Sequence, residues 1–249
     1  MPWTPETLSP LPRRNGFRMR GEAMTRLEVF SDAAFAFALT TLVVSVGSIP
    51  GDLPELIEAL KRVPAFALSF AQIGLFWLAH RGWSRRYGLE DGWTTGLTLG
   101  MIFTILVYVF PLRLMFSTFL SWASGGWLPT DFIAESAWEV QALLGIYGIG
   151  FFVLAGVLAS LFYRALRCSE QLLLDEEEVL ITKSGIGAWL SQSVIGLVSA
   201  LWALLLPAKL GVMAGFIYFL IPFAMILNGK YFSRRLRNLK NELEKAHEE

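Results

Sequence analysis

The sequence predicts an all-α, polytopic integral membrane protein with six transmembrane helices and a pore, on the axis of an oligomer, lined by the first of them. Three observations lead there. Of 249 residues, 54% are hydrophobic and only 17% charged, with a mean hydropathy of +0.51, a balance foreign to soluble domains. The charges are not dispersed through the apolar runs; they collect between them and in the tails. Finally, a short polar threshold at Arg26, Glu28, Ser31 and Asp32 opens without a break into apolar sequence.

A bilayer core about 30 Å thick needs about 20 apolar residues per helix. Six stretches meet or approach this: Leu27 to Ser48, Val63 to His80, Thr95 to Met115, Ala142 to Leu166, Ile186 to Pro207 and Leu210 to Leu227. Residues 1–25, with four prolines and no apolar core of a signal peptide, read as a disordered cytoplasmic tail. Residues 26–229 form the six-helix membrane domain, and residues 230–249 a cytoplasmic helical tail. Pro50-Gly51-Asp52-Leu53-Pro54 is a turn, followed by an amphipathic helical piece from Glu55 to Arg62. Only Pro207-Ala208-Lys209 joins the last two spans, which predicts an antiparallel hairpin. No repeat relates two halves of the chain, as a transporter built from internal repeats would show.

The distribution of basic residues sets orientation. With the N-terminus inside, the inner side receives Arg13, Arg14, Arg18, Arg20 and Arg26, then Arg81, Arg85 and Arg86, then Arg164, Arg167 and Lys183, and finally the C-terminal cluster from Lys230 to Lys245. That is 17 of 21 basic residues, leaving Lys61, Arg62, Arg113 and Lys209 outside. Both termini are therefore expected in the cytoplasm, in a cell-membrane protein. Trp83, Trp93, Trp122, Trp127 and Trp138 lie near span ends, where an aromatic belt anchors helices. Asp131, Glu135 and Glu139 read as a solvated acidic outer loop. Asp175 to Glu178 reads as the solvated part of a short surface helix, because neighbouring carboxylates do not share a helix face. Leu236, Leu239 and Leu243 keep helical spacing, open to pairing with copies, to lying on the anionic inner leaflet, or to a simple extension of the last span.

Catalytic material is scarce. Two histidines (His80 and His247), a lone thiol at Cys168, and neither G-x-S-x-G nor H-E-x-x-H argue against an intramembrane enzyme. No cofactor, resident metal or nucleic-acid partner is expected.

The first span carries the functional pattern. Phe37, Thr40, Thr41 and Val44 fall at i, i+3, i+4 and i+7, one face of a 3.6-residue period, and this face reads as pore-lining. Ionisable groups at a membrane threshold face protein or water. An N-cap accounts for Ser31 or Asp32 alone, but not for a cation, a hydroxyl and a carboxylate together, which when buried must satisfy one another.

Arg26, Phe30-Ser31-Asp32 and Thr40 eight residues further on make the string R-x-x-x-F-S-D at the mouth of an apolar helix. It resembles the first helix of the bacterial transmembrane protein 175 family, relatives of the lysosomal potassium channel. Trp77 and His80, ending the second span, resemble that family's tryptophan and histidine at the same place. The resemblance implies that they join Arg26, Phe30, Ser31 and Asp32 in a cluster bracing the pore helix. It also implies constricting layers at Phe37, at Thr40 or Thr41, and at Val44. Phe37 stands where relatives have isoleucine or leucine, and Thr41 where leucine is more usual. Pro111 resembles the proline that closes the family's third helix, and a kink or helix end is expected there.

One pore helix per chain cannot enclose a channel, so a closed homo-oligomer follows, with four copies implied by the resemblance. The expected function is a potassium-permeable cation channel with a hydrophobic constriction, its partners being potassium ions, the lipid bilayer and its own copies. The alternatives are a weakly selective cation or proton leak, or a non-conducting membrane scaffold.

Overall fold

In the computed structural model, residues 3–21, 23–44 and 49–248 are described, together with their side chains except at 243 and 246–248. Residues 45–48 of the first expected span, and the side chains of Leu243 and His247, lie outside that set.

Among the described residues, six helices are long and apolar enough to cross a membrane. After α1 (Pro5–Leu8) and a two-stranded hairpin, β1 (Arg13–Arg14) and β2 (Phe17–Arg18), come α2 (Arg26–Val44), α3 (Leu53–Lys61), α4 (Val63–Tyr87), α5 (Gly92–Ala123), α6 (Ala137–Arg167) and α7 (Glu176–Leu205). The chain closes with α8 (Ala208–Gly211), a 3₁₀ stretch (Val212–Phe219) and α9 (Leu220–Glu248). The helices overrun the apolar stretches because hydropathy marks only the hydrocarbon depth. At 1.5 Å per residue, the 32 residues of α5 span about 48 Å, reaching through both polar layers.

Pro111 lies inside α5; of the kink or helix end expected there, the helix end does not occur, since the helix runs on for twelve residues to Ala123. Trp83, expected in the aromatic belt, is buried and stacked on His80, while Trp93, Trp122, Trp127 and Trp138 are exposed. The last two spans form the expected antiparallel hairpin, with Ser184 facing Asn228 and Ser199 facing Ala214, but its second limb is not α-helical throughout. The sixth begins as a short helix and a 3₁₀ stretch, where Ser199 Oγ donates to the Ala214 carbonyl and Trp202 Nε1 to the Leu210 carbonyl. These bonds take up carbonyls in a segment that lacks a regular α-helical ladder.

Helices α6 and α7 form the most extensive contact. A Cβ on Gly148 would lie 2.9 Å from Ala200 N and 3.0 Å from the Gly196 carbonyl oxygen, and one on Gly196 would lie 3.0 Å from Phe152 N. Only small residues allow backbones this close within a membrane, where dispersion rather than water release drives association. Contacts then run outward in two directions, from α6 through α5 to α4 and α2, and from α7 to α9. This leaves α2 and α9 at opposite margins of the subunit.

The N-terminal segment is folded, not disordered as expected. Asn15 and Gly16 take positive φ (50° and 79°), the turn geometry that joins two strands most tightly, so that Arg13 pairs with Arg18 and Arg14 with Phe17. Phe17 is 1% exposed and packs edge-on against Tyr87. Arg20 Nη2 donates to Glu178 Oε2 at 2.7 Å and Arg20 Nε to the Leu172 carbonyl at 2.8 Å. Arg13 and Arg18 converge on Asp175. Prolines and the lack of an apolar core predicted disorder, but here Arg20 and Glu178, 158 residues apart in sequence, neutralise each other.

The same pairing corrects the acidic run. Asp175 caps α7 by accepting the Glu178 amide, and Glu178 is 0% exposed; the run opens a 30-residue helix rather than a surface piece. The outer loop is corrected likewise at Asp131, which is held by Arg62 and Arg113, while Glu135 remains exposed. Cys168 is a buried free thiol at the end of α6, and burial pushes its pKa up.

Asp91 ties the loop between α4 and α5 to α6. It accepts the Thr94 amide at 2.8 Å, capping α5, and its other oxygen accepts Arg164 Nε at 2.8 Å. Burial alone would raise its pKa, but these two donors hold it below the usual carboxylate value. A carboxyl with a lowered folded pKa stabilises fully above its unfolded pKa, about 3.9, and loses that contribution as pH falls through the folded value. Melting of the detergent-solubilised protein between pH 6 and pH 3 is therefore expected to lose about 2 °C that the Asp91→Asn variant, lower at neutral pH, does not lose.

Candidate functional site

Helix α2 buries Glu28, Ser31, Phe35, Ala38 and Leu42 against α4 and α5. These positions recur every three or four residues, so they form one stripe. The opposite stripe is left uncovered: Arg26, Phe30, Phe37, Thr40 and Val44 are exposed, Phe37 by 64% and Val44 by 73%. Thr41 is half-buried, at the border. Of the two threonines, Thr40 thus stands nearer the centre of the uncovered face.

The Thr40 hydroxyl donates to the Ala36 carbonyl at 2.9 Å, and the Thr41 hydroxyl to the Phe37 carbonyl at 3.0 Å. With its hydrogen directed into the helix, a threonine oxygen has only lone pairs left to offer outward. That is the orientation a cation requires. Phe37, Thr40 and Val44 are stacked over about 10 Å, at 1.5 Å per residue.

At the arginine-rich end, Trp77 Nε1 donates to Asp32 Oδ1 at 2.7 Å, tying α4 to α2. Arg81 lies over the Trp77 ring, its guanidinium carbon 5.2 Å from the centroid. His80 is buried and shares a hydrogen bond with Thr98 on α5 rather than with α2. Ser31 donates to the Glu28 carbonyl of its own helix. Thr25 accepts the Glu28 amide, as an N-cap side chain does, so neither Ser31 nor Asp32 caps the helix. Arg26 and Phe30 stand on the uncovered face, and Arg26 makes no ion pair among the described residues. Of the six residues expected in one cluster, the subunit joins Asp32 directly to Trp77, places Ser31 and His80 in the adjoining seams, and leaves Arg26 and Phe30 facing outward.

Sequence reasoning named Glu28 in the polar threshold but left it out of the bracing cluster; it is buried and faces Arg85 Nε at 3.9 Å. Its position three residues before Ser31 and seven before Phe35, on the buried stripe, was the available signal. Thr98 was missed because only tertiary packing places it beside His80.

A curated protein from Marivirga tractuosa, named "Potassium channel", is 35% identical over 232 residues, spanning 90% of this chain and 93% of that one. The family model described as endosomal/lysosomal potassium channel TMEM175 matches residues 26–111. The chain belongs to the TMEM175 family. The family match covers α2 through α4 and much of α5, the elements that carry the uncovered stripe and its supports. Among solved TMEM175 structures, that of a threonine-to-alanine variant of the potassium channel MtTMEM175, in complex with a nanobody–MBP fusion protein, superposes with a TM-score of 0.78. It is 33% identical and covers 90% of this chain and all of that one. A lysosomal potassium-selective channel TMEM175 homolog from Chamaesiphon minutus shares the fold, with a TM-score of 0.51 at 20% identity over 85% of this chain and 96% of that one.

Proposed function

We propose that the protein is a potassium-permeable channel in which four copies place α2 around a common axis. The observation that carries this reading is the uncovered stripe of α2: a face bearing Phe37, Thr40 and Val44 that its own subunit leaves bare. A long apolar-and-hydroxyl face at the margin of a membrane subunit needs copies or lipid against it, and four such faces leave a narrow axial conduit. The 35% identical Marivirga protein named as a potassium channel supports potassium as the ion.

In this reading Phe37 and Val44 are apolar constrictions, and the inward-bonded Thr40 hydroxyl replaces part of an ion's water shell between them. Asp32, through Trp77, braces the helix and does not meet the ion. Ions move down their gradient. With 17 of 21 basic residues at one end, that end and both termini face the cytoplasm.

The test is a bi-ionic measurement of potassium against sodium in liposomes containing the purified protein. Potassium flux exceeding sodium flux is expected. Flux that survives combined replacement of Phe37, Thr40 and Val44 unchanged would remove α2 from the pathway. A second reading, a weakly selective leak, draws on the bulk of Phe37; it predicts a potassium-to-sodium ratio near one in the same measurement.

A further inference from the structure

The end of the subunit opposite the arginine-rich one holds a charged group inside the membrane domain. Arg113, on α5, has a side chain only 6% exposed. Its Nε donates to Asp131 Oδ2 at 2.9 Å, and its Nη1 to the carbonyl of Leu42, in the last described turn of α2, at 3.4 Å. Asp131 uses its other oxygen to accept Arg62, at the start of α4, and its amide donates to Ser117 Oγ on α5. One loop carboxylate therefore gathers α4 and α5, and the guanidinium it orients reaches the end of α2.

We infer that Asp131 and Arg113 are positioning residues that clamp the outer end of α2. An ionised group buried at membrane depth persists only when it is paired and does work there. A guanidinium carries several donors in one plane, so Arg113 holds the Asp131 carboxylate and a carbonyl of α2 at the same time. Asp131 contributes by fixing the plane of that guanidinium, and Arg62 by occupying the oxygen that would otherwise turn to water. Leu42 is buried and Val44 lies two residues on, on the uncovered face. The clamp thereby sets where the outer constriction sits. Its consequence for permeation rests on the channel reading above; the clamp itself does not.

The test separates the two. Arg113→Met with Asp131→Leu removes both charges together, which buried pairs tolerate far better than loss of one partner. The helices α6 and α7 are then expected to keep their hydrogen-exchange protection, while amides at the end of α2 exchange at least about tenfold faster. The potassium-to-sodium permeability ratio is expected to fall by about threefold or more. Unchanged exchange at the end of α2 overturns the clamp, whatever the flux. Faster exchange with an unchanged ratio in a conducting protein overturns its role in permeation. A wild-type protein that passes no potassium defeats the channel reading instead, and exchange alone then decides the clamp. Should the double variant fail to accumulate, Asp131→Asn, which removes only the charge, is read by the same exchange.

Discussion

Replacing Phe37 with Ala is expected to raise potassium flux through reconstituted protein by about tenfold or more, equivalent to lowering the barrier by about 1.4 kcal/mol. Phe37 is the bulkiest side chain on the uncovered face of α2, and its ring is 64% exposed within the subunit. In the four-copy assembly proposed above, the substitution is made four times over around the axis. Four rings fill a conduit sterically and repel water from it, and both obstacles shrink when each ring becomes a methyl group. Offsetting this, a ring face attracts a desolvated cation by about 0.5–2 kcal/mol, so a small loss of potassium preference is expected beside the gain in rate. Because Phe37 is outside the subunit core, the fold should tolerate the change, and a melting curve run in parallel checks this. Flux that stays at the wild-type level in a well-folded Phe37→Ala protein would place the narrowest point elsewhere on the helix.

Glu178→Ala is expected to be the most destabilising single change at the arginine-rich end, costing about 3–5 kcal/mol. The Arg20 side chain is fully buried and is held by both oxygens of Glu178, at 3.0 and 2.7 Å, and by the Leu172 carbonyl. Removing the carboxylate strands a guanidinium inside the protein. Phe17 would lose its seat as well, since Arg20 and Arg86 lie over its ring at 5.6 and 5.7 Å. The N-terminal segment should then become protease-sensitive at Arg13 to Arg20, which limited trypsin digestion checks against the wild-type protein. Arg20→Met combined with Glu178→Leu should recover most of the stability, because replacing a buried pair by apolar groups of similar size is close to neutral. If the single and double variants melt together at the wild-type temperature, the pair does not hold the segment.

The six spans were legible because hydropathy over 20 residues is a local property, and the bilayer makes it decisive. Helix α2 was legible in more detail. A 3.6-residue period put Phe37, Thr40 and Val44 on one face without reference to any neighbour, and they share one uncovered face in the fold. The choice between Thr40 and Thr41 was not legible. They differ by one step around the helix, and only the packing of Ala38 and Leu42 against α4 and α5 shows which of them lies toward the buried side. The N-terminal hairpin did have a local signal, Asn15-Gly16 between residues able to pair, but the polar composition around it spoke for disorder.

Charge was where the two levels parted. The sequence by itself determined how many helices cross, which end is arginine-rich, and which face of α2 repeats, since each depends on residues within a turn or a span of one another. Tertiary structure alone decided that Arg20 meets Glu178, that Arg113 meets Asp131, and that His80 turns to Thr98. Whether a charge is solvated or buried depends on a partner supplied by another helix, and electrostatic pairing across a folded chain leaves no periodic mark in the order of its residues.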